Sequence, residues 1–384
     1  MKGYEILNLK PSPPRAAYIH VPFCAHRCGY CNFTLVAGRD DLIEAYLEAL
    51  QCELSWLERP REVDTLYFGG GTPTHLPPTQ LDRLCQIALE WHPLATGYEW
   101  TVEANPADLD QATIDVLARY GVNRISLGAQ SFDAAKLATL ERDHQGVDIA
   151  RAVQLVQSID ADVALDLIFA TPGETLPTWA ADLDAAIRLA PSHISTYGLT
   201  FERGTLFWNR LQRAALQRVD EELERSMYSL AIDTLTDAGF DHYEISNFAR
   251  PNHRSRHNEG YWSGASYFAA GPGAARYVEG VRTTNHRSTT TWLRRVLAGQ
   301  SPVTESETLA PEDRAREALV FGLRRLEGVD RATFTQQTGF DIDELVGQPL
   351  RHYTELGMLL DDRHRIRLSR QGLLVSDAIW PDFL

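Results

Sequence analysis

The stretch Tyr18–Phe33, YIHVPFCAHRCGYCNF, decides how the rest of the chain is read. The β-branched and aromatic run Ala17 to Pro22 predicts a strand, and it passes at once into three cysteines, Cys24, Cys28 and Cys31. Three thiols within eight residues call for a shared ligand, because thiolates are soft donors that suit zinc or iron–sulfur clusters. Structural zinc sites take four ligands, usually as two pairs. Here the spacing is unequal and no fourth cysteine follows, since position 33 is Phe33. Three thiolates on a cubane leave one iron open, and an open iron chelates the amino and carboxylate groups of a methionine-type molecule. A zinc knob completed by His20 or His26 is the alternative reading. Of the remaining cysteines, Cys85 falls on a helical apolar stripe and reads as core, while Cys52 has no assigned role.

Outward from this stretch, short strand-like runs alternate with amphipathic helical ones. Strands are predicted at Thr65–Phe68, Glu99–Ala104, Arg124–Leu127, Val163–Phe169 and His193–Leu199. Between them, Asp40–Leu57 carries Leu42, Ile43, Tyr46, Leu47, Leu50, Leu54 and Leu57 at helical spacing, with Asp40 or Asp41 placed to cap it. Leu81, Leu84, Cys85 and Ala88 form a second stripe, and Ala107–Tyr120, Asp148–Ser158 and Trp179–Leu189 continue the series. Strand, helix and strand at this spacing predict parallel βαβ units, and six strands favour an α/β fold of the partial (β/α)6, TIM-like barrel type over a doubly wound sheet. A further helix is predicted at Val219–Ala238. Asn252–Gly273 is rich in His, Gly and aromatics without a period, and reads as a functional loop or irregular connector. The tail turns helical at Pro311–Leu326. Helix, hairpin (Leu359–Leu368) and helix then predict a small winged-helix-like α+β module. The expected organisation is an N-terminal extension (1–14), a barrel with its following segment (15–300) and the C-terminal module (301–384), with the boundary near Pro302–Glu312.

Composition narrows the function classes. The 384 residues are 44% hydrophobic and 23% charged, as in ordinary globular chains. The net charge is -15, from 37 basic and 52 acidic side chains, which argues against nucleic acid as a partner. No stretch approaches the apolar length that spans a bilayer, and no signal-peptide core opens the chain, so a cytoplasmic protein is expected. Five sparse cysteines do not form a disulfide framework.

With these pieces in place, YIHVPFCAHRCGYCNF resembles the coproporphyrinogen-dehydrogenase-like branch of the radical SAM superfamily, and within it the HemW-type heme chaperones, over residues 15 to 384. The resemblance implies a 4Fe-4S cluster on Cys24, Cys28 and Cys31 with S-adenosylmethionine (SAM) at the open iron, where one electron cleaves the sulfonium into an adenosyl radical. It implies SAM contacts from Tyr18, from Tyr30 against the adenine, and from Gly70, Gly71 and Thr72 in GGGTPT, where the missing Cβ lets the backbone approach the amino group. It adds Glu103 in VEANP, Gln130 in SLGAQSF, Arg142 in LERDH and Asp166 in LDLIF, with Thr200 and Ala275 near the cofactor. Asp166, a carboxylate in an apolar strand, needs a partner: a ribose hydroxyl, an ammonium group or Arg142. Most of these residues fall at the carboxyl ends of strands, where barrel enzymes place their sites.

Two departures stand out. The family's glycine-leucine-proline after the fifth strand is here Ala170, Thr171 and Pro172, an altered turn. The oxygen-independent dehydrogenases carry a further cysteine where this chain has Phe33, which puts decarboxylating activity in doubt. In RSRHNEGYW, His257, Asn258, Tyr261 and Trp262 form H-N-x-x-Y-W, a signature of the chaperone branch. An imidazole there can ligate heme iron, Tyr and Trp offer faces to the porphyrin, and Arg254 and Arg256 can pair with its propionates. His253 and His286 are alternative ligands, and packing of the loop onto the barrel is the bland account of the same residues. The expected function is transfer of heme to an acceptor hemoprotein such as a respiratory cytochrome, with an electron donor serving the cluster and any membrane association peripheral. The competing expectation is oxidative decarboxylation of coproporphyrinogen III in porphyrin biosynthesis. Arg363, Arg365, Arg367 and Arg370 on the C-terminal hairpin read as a solvated face, and that module is expected to cover the barrel opening or to offer a docking surface.

Overall fold

The computed structural model describes residues 13–384, so residues 1–12 of the expected N-terminal extension lie outside it. Six parallel strands lie side by side in sequence order: β1 (Ala16–Val21), β2 (Val63–Gly70), β3 (Leu94–Ala104), β4 (Arg124–Gln130), β5 (Asp162–Phe169) and β6 (His193–Gly198). Helices α1 (Ile43–Ser55), α2 (Pro78–Trp91), α3 (Gln111–Tyr120), α4 (Gly146–Gln157) and α5 (Leu176–Arg188) return the chain between them. The apolar stripes read from sequence face the sheet: Leu47, Leu50, Leu81, Leu84, Cys85 and Ala88 are all fully buried, at about 1.5–3 kcal/mol for each large side chain. Asp40 and Asp41 do not cap α1. They sit in a 3-10 turn, Asp40–Leu42, that runs into the helix, where their charge suits the positive end of the dipole.

The sheet does not close, which confirms a partial barrel within a larger α/β sheet. Beyond β6 come α6 (Glu221–Asp237) and an antiparallel pair, β7 (Asp241–Glu244) and β8 (Asn247–Ala249). Asn252–Gly273 is not irregular as expected. It holds a short helix, α7 (Arg256–Trp262), and β9 (Tyr267–Ala270), which pairs in parallel with β1 as a seventh parallel strand. Three antiparallel strands extend that edge: β10 (Ala275–Val278), β11 (Val281–Asn285) and β12 (Val303–Thr308). A boundary at residue 301 would assign β12 to the C-terminal module, whereas β12 is hydrogen-bonded to β11 in the large sheet. Glu53 of α1 ties this extension down: its buried carboxylate accepts from Gly271 N (3.0 Å), Asn285 Nδ2 (2.6 Å) and Trp292 Nε1 (3.0 Å).

A second hydrophobic core begins at Ala315 on α8 (Pro311–Arg324). It joins two more helices to a three-stranded sheet of Val329–Asp330, Leu359–Asp361 and Arg365–Leu368, the expected winged-helix-like module. The module docks on the segment from Tyr243 to Trp262: Leu326 N donates to Tyr243 O, and Trp262 packs edge-on against Phe321 with the Arg324 guanidinium over its ring. Arg363, Arg365, Arg367 and Arg370 are exposed, and Arg370 also pairs with exposed Asp233 of α6 (2.7 Å). Among the described residues, no helix is long and apolar enough to cross a membrane.

Candidate functional site

A cavity of about 1070 Å³ occupies the barrel. Its upper wall is built at the carboxyl ends of the strands. The chain leaves β1 at Val21 and reaches Cys24 three residues later, and all three cysteines line the cavity. Cys24 Sγ lies 3.3 Å from Thr72 Oγ1 at the end of β2, and burial pushes its thiol up to about 11, with the Thr72 hydroxyl pulling the other way. Burial likewise raises the Cys31 thiol. Arg142 Nη1 lies 3.5 Å from Cys28 Sγ.

Every residue expected to contact SAM also lines this cavity. Gly70 has φ +112, and a Cβ there would fall 2.3 Å from the His20 ring. A Cβ on Gly71 would fall 2.6 Å from Phe23 O. The glycine run therefore answers to close packing of the protein on itself as well as to any ligand. Glu103, near the end of β3, accepts from Tyr67 OH (2.8 Å) and Gly70 N (3.0 Å), and burial pushes it up to about 7. Asp166 is not paired with Arg142. It accepts from Ser126 Oγ (3.0 Å) and is hydrogen-bonded to Ser195, and burial raises its pKa. Arg142 instead donates to Asn105 Oδ1 (2.7 Å) and Gly128 O (3.1 Å). Its buried Nε has no partner among the described residues. Gln130 ends β4 with φ 61, Tyr18 OH meets His20 Nδ1 (3.0 Å), and Tyr30 packs edge-on to Phe207. Thr200, just past β6, and Ala275, opening β10, complete the wall.

The sequence reading named Glu103 and Gln130 but missed the rest of the polar lining lower down. Arg124, Ser126, Gly128 and Gln130 on β4 point inward while Ile125, Leu127 and Ala129 point outward, and Thr101 with Glu103, then Ser195 with Tyr197, repeat the period of two. That alternation was the available signal.

The H-N-x-x-Y-W helix closes the opposite end. Glu99 accepts from the N–H groups of Arg256 (3.0 Å) and His257 (3.0 Å) at the start of α7 and lies 3.3 Å from Arg124 Nε. Arg124 also binds Asp162 (3.1 Å) and the carbonyl of His253 (2.9 Å). His257 is 2% exposed: Nδ1 meets Thr65 Oγ1 (2.9 Å) and Nε2 meets Tyr261 OH (2.9 Å). Both ring nitrogens are thus engaged, and burial pushes the imidazole down to about 3. Axial ligation of heme iron needs a free nitrogen, which His257 lacks here. Asn258 and Tyr261 face the cavity from below, whereas Trp262 faces the C-terminal module. His253 is held by Asp162 (2.7 Å), and Arg254 is spent on Asp241 and Glu327. Arg256 reaches Gly97 O. Among the described residues, those lining the cavity end at Glu305, before the C-terminal module's core.

These residues fit a cubane better than a single metal ion. Tetrahedral zinc draws its ligands to within about 4 Å of one another, whereas each thiolate of a cubane reaches a different iron. Among the described residues, no three His, Cys, Asp or Glu side chains converge on one ion. His20 is not available as a fourth zinc ligand, because Nε2 meets Thr34 O (2.7 Å) and Nδ1 meets Tyr18. His26 is exposed and lies 3.9 Å from Glu141.

Comparison with known proteins agrees with this geometry. The radical SAM superfamily model matches residues 18–186 and the HemN C-terminal domain model matches residues 309–375. The fold matches that of the coproporphyrinogen III oxidase HemN of Escherichia coli with a TM-score of 0.86, over 97% of this chain and 90% of that one, at 22% identity. Together these define a radical SAM protein with a HemN-type C-terminal domain. The chain is 34% identical to the heme chaperone HemW of Lactococcus lactis subsp. lactis (strain IL1403), covering 97% of each. It is 32% identical to HemW of Bacillus subtilis (strain 168), covering 96% of this chain and 99% of that one. To the mitochondrial radical S-adenosyl methionine domain-containing protein 1 of Danio rerio it is 33% identical, over 96% and 86%. The chain belongs to the family of the heme chaperone HemW.

Proposed function

We propose that this protein is a heme chaperone that carries a 4Fe-4S cluster and SAM in its barrel, binds heme, and passes it to an acceptor hemoprotein. Cys24, Cys28 and Cys31 would hold the cluster, which supplies one-electron chemistry when bound. The residues of the upper wall, from Tyr18 round to Ala275, would hold SAM. Around them this chain's residues would do two things: the Thr72 hydroxyl and the Arg142 guanidinium would stabilise thiolates, and Glu103 and Asp166 would offer acceptors to hydroxyl or ammonium groups.

The observation that carries the chaperone reading over the dehydrogenase is the charge of the cavity. Seven carboxyls line it (Glu103, Asp108, Glu141, Asp143, Asp166, Glu202 and Glu305), with Glu103 and Asp166 raised by burial, against three guanidiniums (Arg124, Arg142 and Arg287). Arg124 is paired with Glu99 and Asp162, and Glu141 with Arg210 (2.7 Å), which leaves the acids in excess. Such a wall suits a sulfonium cation and opposes the four propionates of coproporphyrinogen III. Phe33, exposed where the dehydrogenases carry a further cysteine, points the same way, and so do the names of the relatives.

One anaerobic, cluster-reconstituted preparation tests this. Half is titrated with heme and followed at the Soret band; half receives coproporphyrinogen III, SAM and a reductant. Stoichiometric heme binding without protoporphyrinogen IX is the expected result. Protoporphyrinogen IX in the second half would overturn the reading.

A further inference from the structure

Heme needs three things from a protein surface: an apolar face for the porphyrin, cations for two propionates, and a nitrogen for the iron. The floor helix offers none of these free. The outer face of the cysteine loop offers all three. Phe33 is 67% exposed, although a lone exposed ring means little by itself. What sets it apart is its surroundings. Arg27 Nη2 donates to Leu35 O (2.6 Å) and Nη1 to Cys31 O (3.5 Å). Arg287 Nε donates to Thr34 Oγ1 (3.3 Å), and Nη2 to Asn32 O. Two guanidiniums therefore clasp the segment that carries Phe33, and among the described residues neither pairs with a carboxylate. Residues 16–39 contain no Asp or Glu, in a chain of net charge -15. His26, on the same loop, has a side chain 55% exposed, and its Nε2 lies 3.9 Å from Glu141, too far for a hydrogen bond. His26, Phe33 and Arg287 are exposed and also line the cavity.

We propose that heme binds on the outer face of the cysteine loop, with His26 as axial ligand, Phe33 against the porphyrin, and Arg27 and Arg287 on the propionates. This rests on the chaperone reading and gives it a location. With His26 and Phe33 both exposed, heme held there would be accessible to an acceptor's own ligand, which could replace His26. His26 stands between Cys24 and Cys28 in the chain, which would bring the heme ligand and the cluster ligands onto one loop.

The test uses the reconstituted full-length protein and hemin. His26→Ala is expected to shift the Soret maximum and to abolish the low-spin electron paramagnetic resonance signature of imidazole ligation. Phe33→Ser is expected to weaken binding about tenfold, and Arg27→Gln about fivefold at low salt. The cluster's visible absorbance reports whether each variant still assembles, and Phe33→Ser, which breaks no hydrogen bond, keeps the test valid if Arg27→Gln does not. Unchanged spectrum and affinity in both His26→Ala and Phe33→Ser would overturn the placement. So would loss of the ligand signature in His257→Ala alone. If Phe33→Ser instead slows only reduction of the cluster by an acidic electron-carrier protein, the face docks that carrier and the heme proposal falls. No heme binding by the wild type would overturn the chaperone reading, and the placement with it.

Discussion

The two ends of the barrel are built from the same strands and serve opposite ends. At the carboxyl ends, polar groups are left facing a cavity: three thiols, the Glu103 and Asp166 carboxyls held up by burial, and Arg142 with an unpartnered Nε. At the amino ends most polar groups are paired with one another, although Arg124 Nε and Nη1 have no hydrogen-bond partner among the described residues. Glu99, Arg124, Asp162 and His253 form one chain of ion pairs, and Glu99 also caps α7. The first arrangement binds and the second seals, in keeping with the division of labour in barrels generally. A sequence signature such as H-N-x-x-Y-W does not declare which end it belongs to. The hydrogen bonds of His257 do.

Substitutions break or sharpen this contrast. Cys28→Ala should abolish the visible absorbance and most of the iron of a reconstituted preparation while leaving the thermal midpoint nearly unchanged; full iron content would remove the cluster from the upper end. Glu99→Ala strands Arg124 and the amides of α7, so a loss of about 3–5 kcal/mol in denaturant unfolding is expected, with little effect on reconstituted iron. His257→Ala should cost about 2–4 kcal/mol through a cavity and two lost hydrogen bonds. His257 also has a pH signature. Its folded pKa is pushed from 6.5 down to about 3, so the unfolded chain binds the extra proton, and stability falls as pH drops from 6.5 toward 3. Removing the imidazole should flatten that slope in a pH series of unfolding midpoints; an unchanged slope would mean that His257 is not sealed in. The smallest effect is expected near the fifth strand. Ala170 holds φ 62, the left-handed region where the family has glycine. Ala170→Gly should therefore stabilise by about 1 kcal/mol, strain relief outweighing the added chain entropy.

Much of this was legible in the sequence. The six strands, their helices and the C-terminal module follow from hydrophobic period, and the cysteine spacing with GGGTPT points to the upper end. What was hidden depends on long-range partners. Asp40 and Asp41 look like caps until the 3-10 turn places them inside the helix start. Tyr267–Ala270 is four residues long, too short for a period, and becomes a strand only because β1 offers it a free edge. The residue that anchors α7, Glu99, stands 157 positions before Arg256. The helix itself left one local clue, Ser255 as N-cap, whose side chain accepts from Asn258 N.

The most direct test of the contrast is amide hydrogen exchange on the apoprotein and on protein loaded with cluster and SAM. The account predicts that loading protects residues 24–33, 69–72 and 128–142, while residues 255–262 are strongly protected in both states and do not change. Fast exchange at 255–262 in the apoprotein, or protection gained there on loading and not at the cysteine loop, would contradict it.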